Sequence, residues 1–427
     1  MMVMDMEKLK ETVAHSAKRT GQYAVSFLYW TLIAAVTGGL GGLLGAAFRW
    51  AVNYATDLRE QNPWLCFLLP VGGLAIAFLY RVTKLSGHAD TNLIINSVRT
   101  DSKVPILLAP VIFVSTVLTH LFGGSAGREG AALQLGGCIG SFIGRTVRLN
   151  EKDMHIAVMC GMSGLFSALF GTPLTAAVFA MEVISVGIIY YSAFLPCIVS
   201  ALTAYGITLY FGLAPTAYSL TTMPGLTAVS LLTVAAIGIV TALVSIAFCL
   251  ALEKTHAMAA KYLSNEYLRV LVGGSAIALL TLATGTRYNG IGDGVIAAAI
   301  GSGEALPYDF ILKMLFTVIT IGFGYKGGEI IPTFFIGATL GAVLGPLVGL
   351  PATFAAAIGM VALFCAVVNC PIASILLSVE LFGSGGLIFF AAAVCVSYML
   401  SGYYGLYSGQ KIMYSKRRAR YINRNTQ

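Results

Sequence analysis

Charged residues are scarce in this sequence. Lys, Arg, Asp and Glu make up 10% of the 427 residues, whereas hydrophobic residues make up 57% and the mean hydropathy is +0.84. A soluble globular domain carries about 25% charged residues. The composition therefore predicts an integral membrane protein with many spans and excludes a soluble domain.

The sequence also lacks the alternating pattern of a membrane β-strand, because its apolar runs are long and unbroken. This excludes a β-barrel. A helix perpendicular to the membrane needs roughly 20 apolar residues to cross a bilayer core of about 30 Å, and many of the apolar stretches are shorter. We therefore predict an all-α multi-span fold with short, tilted and broken helices.

Motifs for catalysis or metal binding are missing. The eight cysteines form no C-x-x-C pair and lie mostly in apolar runs, which favours small buried packing residues. The five histidines are scattered, with no H-E-x-x-H spacing. We expect no enzyme activity, no cofactor and no metal. A membrane scaffold without transport activity stays open.

The two ends are basic, and the net charge is +8. The first residues are too charged for the apolar region of a signal peptide. A cluster of basic residues runs from Lys411 to Arg424. Basic ends that flank spans stay cytoplasmic. We expect this tail to contact anionic lipid and not nucleic acid.

The second half of the sequence repeats the first. The stretch TVLTHLFG at 116–123 matches TVITIGFG at 317–324. A longer match aligns 161–183 with 359–381, and in both copies Phe, Pro and Glu stand at the sixth, thirteenth and twenty-second positions. Shared glycine-rich composition would not place Pro and Glu at equal spacings. Repeats of this kind are typical of transporters.

The repeats define the expected organisation of the chain. Inverted topology is the common arrangement of such repeats, although the sequence itself does not show inversion. The predicted parts are a cytoplasmic segment 1–22, a first membrane repeat 23–212, a second membrane repeat 213–405 and a basic cytoplasmic tail 406–427.

A glycine turn precedes an apolar helix in each repeat. The turns are GREG at 127–130 and GGEI at 327–330. Interrupted helices are tolerated in a membrane only where the freed backbone is buried or lines a cavity. A helix N-terminus has free N–H groups and a partial positive charge. Two such ends that meet inside the protein predict an anion site.

Glu129 lies at the first of these predicted helix ends, and it is flanked by Arg128. A carboxylate there would compete with an anion for the site when ionised and leave it when protonated. Occupancy by anions and by protons would then be linked. We expect Arg128 to support the loop or the local potential and not to bind the permeating ion.

These residues resemble the CLC family of chloride channels and proton-coupled anion antiporters. The resemblance covers nearly the whole chain in the right order: GREG at 127–130, TPLTAAVFAMEV at 172–183, GGEIIP at 327–332 and LYS at 406–408. It implies the CLC fold with two inverted repeats and a homodimer with one pore per subunit. It also implies a multi-pass protein of the lipid bilayer, expected in a bacterial inner membrane.

The resemblance also implies roles for single residues. Glu129 would be the gating glutamate, and Tyr407 the pore tyrosine whose hydroxyl contacts the central anion. Backbone N–H groups would line the anion path, and glycines of the two turns would support it. The expected lining groups are those of Gly130, Ile330 and Ile331, and the supporting glycines are Gly127 and Gly328.

Two departures from the family pattern bear on mechanism. Chloride antiporters have an inner proton-transfer glutamate where this chain has Val183, and chloride channels have Val there. The usual pore serine is also missing. Thr91 and Asn92 are our choice for the anion contact, with Ser86 second.

A glutamate in the second glycine turn resembles the branch of the family that exports fluoride. The resemblance assigns Glu329 a part in proton coupling. That branch commonly has Thr where this chain has Ile331. An acid at a helix N-terminus is also favourable as a cap.

The sequence thus favours a proton-coupled antiporter of small inorganic anions, which exports fluoride in exchange for protons. The closest alternative is a passive anion channel, which Val183 favours, and a chloride/proton antiporter is third. Glu329 argues against a channel, since a channel needs no second buried acid.

Overall fold

The computed structural model describes residues 2–85, 90–100, 102–220 and 222–427, with side chains at residue 15 and from residue 19 onward. Sixteen α-helices lie in these residues. They are α1 Met2–Gln61, α2 Leu69–Val82, α3 Thr91–Ser97, α4 Leu108–Leu121, α5 Glu129–Thr146, α6 Glu151–Phe170, α7 Pro173–Glu182, α8 Phe194–Tyr210, α9 Ala228–Tyr262, α10 Glu266–Thr284, α11 Asp293–Gly301, α12 Asp309–Gly322, α13 Ile330–Leu347, α14 Ala352–Val368, α15 Pro371–Phe382 and α16 Leu387–Leu400.

Short apolar helices occur as predicted, and long helices accompany them. By length and composition, seven helical segments in the described part of the chain could cross a membrane, and five further apolar helices have 10–17 residues. Seven of the cysteines are buried as predicted, and Cys395 is exposed.

The helices occur in the order that two repeats require. The first eight, α1–α8, end at Tyr210, and the second eight, α9–α16, begin at Ala228. Helix α1 runs without a break from Met2 to Gln61, across the predicted start of the first membrane repeat at residue 23. No turn residue interrupts that helix near the boundary.

The repeated glycines form two equivalent helix contacts. Gly136 on α5 packs against the backbone of α6, and Gly337 packs against α14 in the same way, where an added Cβ would lie 2.5 Å from the Gly359 carbonyl oxygen. Small residues permit such close packing of membrane helices. These glycines therefore allow close packing between helices, and they are not part of the two glycine turns.

Glu182 and Glu380 link the two repeats reciprocally. Glu182, at the end of α7, accepts hydrogen bonds from the first turn of α15, at Ile372 N (3.1 Å) and Ala373 N (2.8 Å). Glu380, near the end of α15, accepts them from the first turn of α7, at 2.9 and 2.8 Å. Each carboxylate thus satisfies free N–H groups of the other helix. The geometry therefore gives both carboxylates a structural role.

This reciprocal contact also sets the relative direction of the two repeats. The end of α7 lies beside the start of α15, and the end of α15 lies beside the start of α7, so the two helices are antiparallel. Equivalent helices of the two repeats therefore run in opposite directions, as inverted repeats require.

We expect Glu182→Ala to destabilise the fold. The variant leaves the N–H groups of Ile372 and Ala373 without their acceptor, and loss of the buried bond at Ala373 costs about 1 to 3 kcal/mol. Thermal unfolding in detergent should show a lower Tm for Glu182→Ala and a smaller loss for Glu182→Gln, which keeps one acceptor oxygen. An unchanged Tm for Glu182→Ala would contradict this role.

The basic tail forms part of a small sheet, which the sequence did not predict. Strands β2 (Lys411–Tyr414) and β3 (Tyr421–Asn425) pair antiparallel, and β2 pairs parallel with β1 (Ser185–Val186), which follows α7. The basic tail is therefore a folded hairpin attached to the first repeat.

Candidate functional site

The two glycine turns meet in the interior of the protein. Gly127 and Gly328 exchange two backbone hydrogen bonds, with N···O distances of 2.6 and 2.7 Å. Helices α5 and α13 begin immediately after these residues, at Glu129 and Ile330. The predicted convergence of two helix N-termini is therefore what the structure contains.

Glycine is required where the turns touch. A Cβ at Gly130 would lie 2.8 Å from the Gly328 Cα, which is closer than a real Cβ approaches backbone, and 3.2 Å from the Gly327 carbonyl oxygen. The contact therefore depends on the missing side chains. This explains why both turns are rich in glycine.

Free backbone donors surround the junction. Gly130, Ile330 and Ile331 are buried and lie in the first turns of α5 and α13, where helix geometry supplies no carbonyl partner for an N–H group. Pro332 has no N–H, so the first turn of α13 offers the donors of the two isoleucines. These are the groups predicted to line an anion path.

The Glu129 side chain is fully buried at the start of α5. Neither carboxylate oxygen has a hydrogen-bond partner among the described residues. The nearest charge is the Arg128 Nε, 3.6 Å from Oε1. Burial of a carboxylate without hydrogen bonds costs free energy. No hydrogen bond therefore holds the Glu129 side chain in this position.

Arg128 lies at the N-cap of α5 and is 6% exposed. Its Nη1 donates a hydrogen bond to Asn53 Oδ1 on α1 at 3.2 Å. The guanidinium therefore joins the start of α5 to a distant helix.

A cavity of about 600 Å³ reaches the junction from one side. Glu329, at the N-cap of α13, lines it together with Gly327 and Tyr407. The Tyr407 hydroxyl is buried and has no hydrogen-bond partner within the described part of the chain. A free donor beside a helix N-terminus can bind an anion. The sequence-predicted residues Glu329 and Tyr407 are thus brought to one cavity.

Thr91 and Asn92 line the same cavity, and their side chains are bonded differently. The Thr91 hydroxyl accepts a hydrogen bond from Gln134 Nε2 at 3.2 Å and lies 3.5 Å from the Gly130 carbonyl oxygen. Asn92 Nδ2 donates to Asp90, and Asn92 Oδ1 accepts from Gly409 N at 2.8 Å. Thr91 is therefore nearer to the helix junction.

The second choice for the anion contact, Ser86, lies outside the described residues.

Val183 lies away from the junction. Its side chain is fully buried, and it lines neither of the cavities described here. Its carbonyl oxygen accepts a hydrogen bond from Gln410 Nε2 at 3.1 Å. The position therefore provides packing and a backbone acceptor, and its side chain has no titratable group.

A smaller cavity of about 190 Å³ approaches the junction elsewhere, and Arg128 and Ile331 are among its lining residues. Glu129 lines neither this cavity nor the larger one. Its chain neighbour Arg128 lines the smaller cavity, and Gly327 and Glu329 of the second turn line the larger one. The Glu129 side chain and the glycine turns therefore separate the two cavities.

Sequence reasoning missed several polar residues of the larger cavity, among them Gln134 and Lys326. Gln134 on α5 is 4% exposed, and its Oε1 has no partner among the described residues. Lys326 precedes the second glycine turn, and its Nζ lies 4.5 Å from the centroid of the Tyr80 ring. An amide in a helix of small and apolar residues was the available signal for Gln134.

No cluster of three or more metal-ligating side chains occurs among the residues that the structure describes.

Two antiparallel repeats with helices that begin in the protein interior define a class of multi-span membrane proteins with a central site at helix N-termini. The model of the voltage-gated chloride channel family matches residues 72–402 of this chain. The chain belongs to this family, the CLC family, as the sequence motifs predicted.

Individual relatives agree with the family assignment. A chloride/fluoride channel protein of Pseudomonas syringae pv. tomato is 37% identical over 395 residues, which cover 91% of this chain and 87% of the relative. An H⁺/Cl⁻ exchange transporter, ClcA, of Yersinia pestis is 25% identical over 426 residues, 93% of this chain and 88% of the relative.

Solved structures confirm the predicted fold. A crystal structure of a CLC-type fluoride/proton antiporter superposes with a TM-score of 0.87 at 35% identity, over 90% of this chain and 98% of that chain. A slow cyanobacterial Cl⁻/H⁺ antiporter superposes with a TM-score of 0.76 at 22% identity, over 87% and 94% of the two chains.

Proposed function

We propose that this protein is a proton-coupled anion antiporter that exports fluoride in exchange for protons. The main support is Glu329, a second carboxylate at a helix N-terminus, which lines the larger cavity together with Tyr407. The relative and the solved structure whose names include fluoride, at 37% and 35% identity, agree with this substrate.

Glu129 is the gate in this mechanism. When ionised, its carboxylate occupies the position between the cavities and stands in for an anion at the two helix N-termini. Protonation removes the charge and weakens that interaction, so the side chain can leave and an anion can take its place. The exchange links each proton to the movement of anions.

The anion meets donors along a short path. The Tyr407 hydroxyl and the Thr91 hydroxyl line the larger cavity, and the N–H groups of Gly130, Ile330 and Ile331 follow at the junction. Arg128 contributes positive charge on the side of the smaller cavity. Gly127 and Gly328 keep the two turns in contact.

Glu329 provides the second proton position. It faces the larger cavity, whereas Glu129 is sealed from it. Inward movement of protons down their gradient then drives fluoride out. Val183 provides no alternative acid at the position where chloride antiporters have one.

A passive anion channel is the second candidate, and the buried apolar Val183 is the observation that favours it. A chloride/proton antiporter is the third candidate. The observation that favours it is Ile331, which provides no hydroxyl at the helix N-terminus where the fluoride-exporting branch commonly has Thr. The sequence contains no catalytic motif that we identify, and we expect no enzyme activity.

We further propose a homodimer in the inner membrane of a bacterium, with both ends of the chain in the cytoplasm. The basic residues at the two ends support this orientation. Size measurement of the purified protein and protease protection of the tail in membrane vesicles test these two points.

The proposed function is tested in liposomes that contain the purified protein. Fluoride and chloride efflux are measured with ion-selective electrodes while proton uptake is recorded. We expect fluoride efflux to exceed chloride efflux and to move protons against their gradient. Efflux without coupled protons would identify a channel, and equal coupling with both anions would identify a less selective antiporter.

A further inference from the structure

The C-terminal hairpin has an unusual charge distribution. Residues 406–427 contain no Asp or Glu. The strands β2 and β3 pair Ile412 with Arg424 and Tyr414 with Tyr421. The six cations of this segment are Lys411, Lys416, Arg417, Arg418, Arg420 and Arg424.

Three of these cations are exposed at the connection between the strands, and we call Arg417, Arg418 and Arg420 the hairpin tip. Two aromatic rings lie beside it. Tyr414 is 48% exposed and Tyr421 is 55% exposed, and their ring centroids are 5.6 Å apart. The tip therefore presents positive charge next to exposed tyrosine rings.

Lys416 places the tip at the end of an apolar helix. Its Nζ donates to the Tyr398 carbonyl oxygen at 2.9 Å and to Ser401 Oγ at 3.2 Å, both at the C-terminal end of α16. The neighbouring Met399 and Leu400 are 44% and 49% exposed. The end of an apolar membrane helix lies near the level of the lipid headgroups. The tip is therefore adjacent to the membrane surface.

We propose that the hairpin tip binds the headgroups of anionic phospholipids. Guanidinium groups bind phosphate through several hydrogen bonds, and tyrosine is enriched at the level of the headgroups. Basic segments next to membrane helices are attracted to anionic lipid. Nucleic acid would also be attracted to the arginines, but it does not account for the tyrosines beside an apolar helix end.

The base of the hairpin is bonded to the proposed pore tyrosine. The Tyr407 carbonyl oxygen accepts hydrogen bonds from Gln410 N at 2.8 Å and from Thr426 Oγ1 at 2.5 Å. Gln410 Nε2 also donates to the Val368 carbonyl oxygen at 2.9 Å. Lipid bound at the tip thus stabilises the segment that positions Tyr407. This link to transport rests on the proposed function, whereas the lipid contact itself does not.

The test compares the wild type with the triple variant Arg417→Gln, Arg418→Gln, Arg420→Gln. Thermal unfolding is measured in detergent with added phosphatidylglycerol or phosphatidylcholine. Phosphatidylglycerol should raise the Tm of the wild type by roughly 2 °C or more and leave the triple variant unchanged. The matched control Lys254→Gln, Lys261→Gln, at exposed positions on α9, should keep the shift.

Transport is then measured in vesicles of phosphatidylcholine alone and of phosphatidylcholine with one third phosphatidylglycerol. We expect fluoride efflux of the wild type to be several-fold faster with phosphatidylglycerol, and the triple variant to lose this dependence. Equal Tm shifts in the wild type and the triple variant would overturn the proposal. So would binding of an RNA oligonucleotide by the tip without any Tm shift from lipid. A Tm shift in protein that transports no fluoride would leave the lipid site standing and reject the proposed function.

Discussion

Glu129→Gln is expected to abolish proton coupling while anions still pass. Glutamine has nearly the same shape as glutamate, but its side chain neither binds nor releases a proton near neutral pH. The gate therefore loses the change of charge that links proton movement to anion movement. Positioned proton-transfer groups contribute about 100-fold or more to rate, and we expect proton flux to fall by at least this factor. The measurement is simultaneous fluoride efflux and proton uptake in liposomes.

The matched control for this variant is Glu151→Gln, which removes one exposed acid from the first turn of α6. It should transport protons and anions like the wild type. Unchanged proton flux in Glu129→Gln would reject the gating assignment, because it would show that the buried carboxylate of Glu129 does not take part in proton transport.

Glu329→Gln is expected to leave the fold intact and to impair coupled transport by roughly 10-fold or more. The side chain lines the larger cavity and makes no cap hydrogen bond at the start of α13, so its loss should change stability little. The variant should still move anions but should no longer couple their movement to proton uptake. Tm and the ratio of protons to fluoride are the two measurements.

Comparison with Glu182→Gln distinguishes a role in transport from a role in stability. Glu182 makes two hydrogen bonds to the N-terminus of α15, so its variant should lower Tm and keep the ratio of protons to fluoride. Glu329→Gln should do the opposite. Full coupled transport by Glu329→Gln would remove this residue from the mechanism and favour a site in which Glu329 only complements the helix dipole.

Much of the architecture could be predicted from particular residues. The matched positions of Pro173 with Pro371 and of Glu182 with Glu380 indicated two repeats, and the family match and helix order agree with them. The glycine turns indicated helix N-termini inside the protein, which the contact between Gly127 and Gly328 confirms. These predictions succeeded because they depend on local backbone geometry and on regular spacing.

Other features could not be read from the sequence, because they depend on contacts between distant segments. Asn53 on α1 accepts a hydrogen bond from Arg128, and Gln410 joins the tail to Val183. Nothing near Asn53 or Gln410 in the sequence indicates these partners. The pairing of the tail with β1 likewise joins segments far apart in the chain.

The sequence by itself determined that this is a helical membrane protein of two repeats with glycine turns, since apolar composition and spacing decide how each segment folds in lipid. The tertiary structure decided that Glu182 and Glu380 bond the opposite repeat, that Glu129 separates two cavities and that Glu329 faces the larger one. The physical reason is that a carboxylate gains its role from the donors and cavities around it, and these come from segments far apart in the chain.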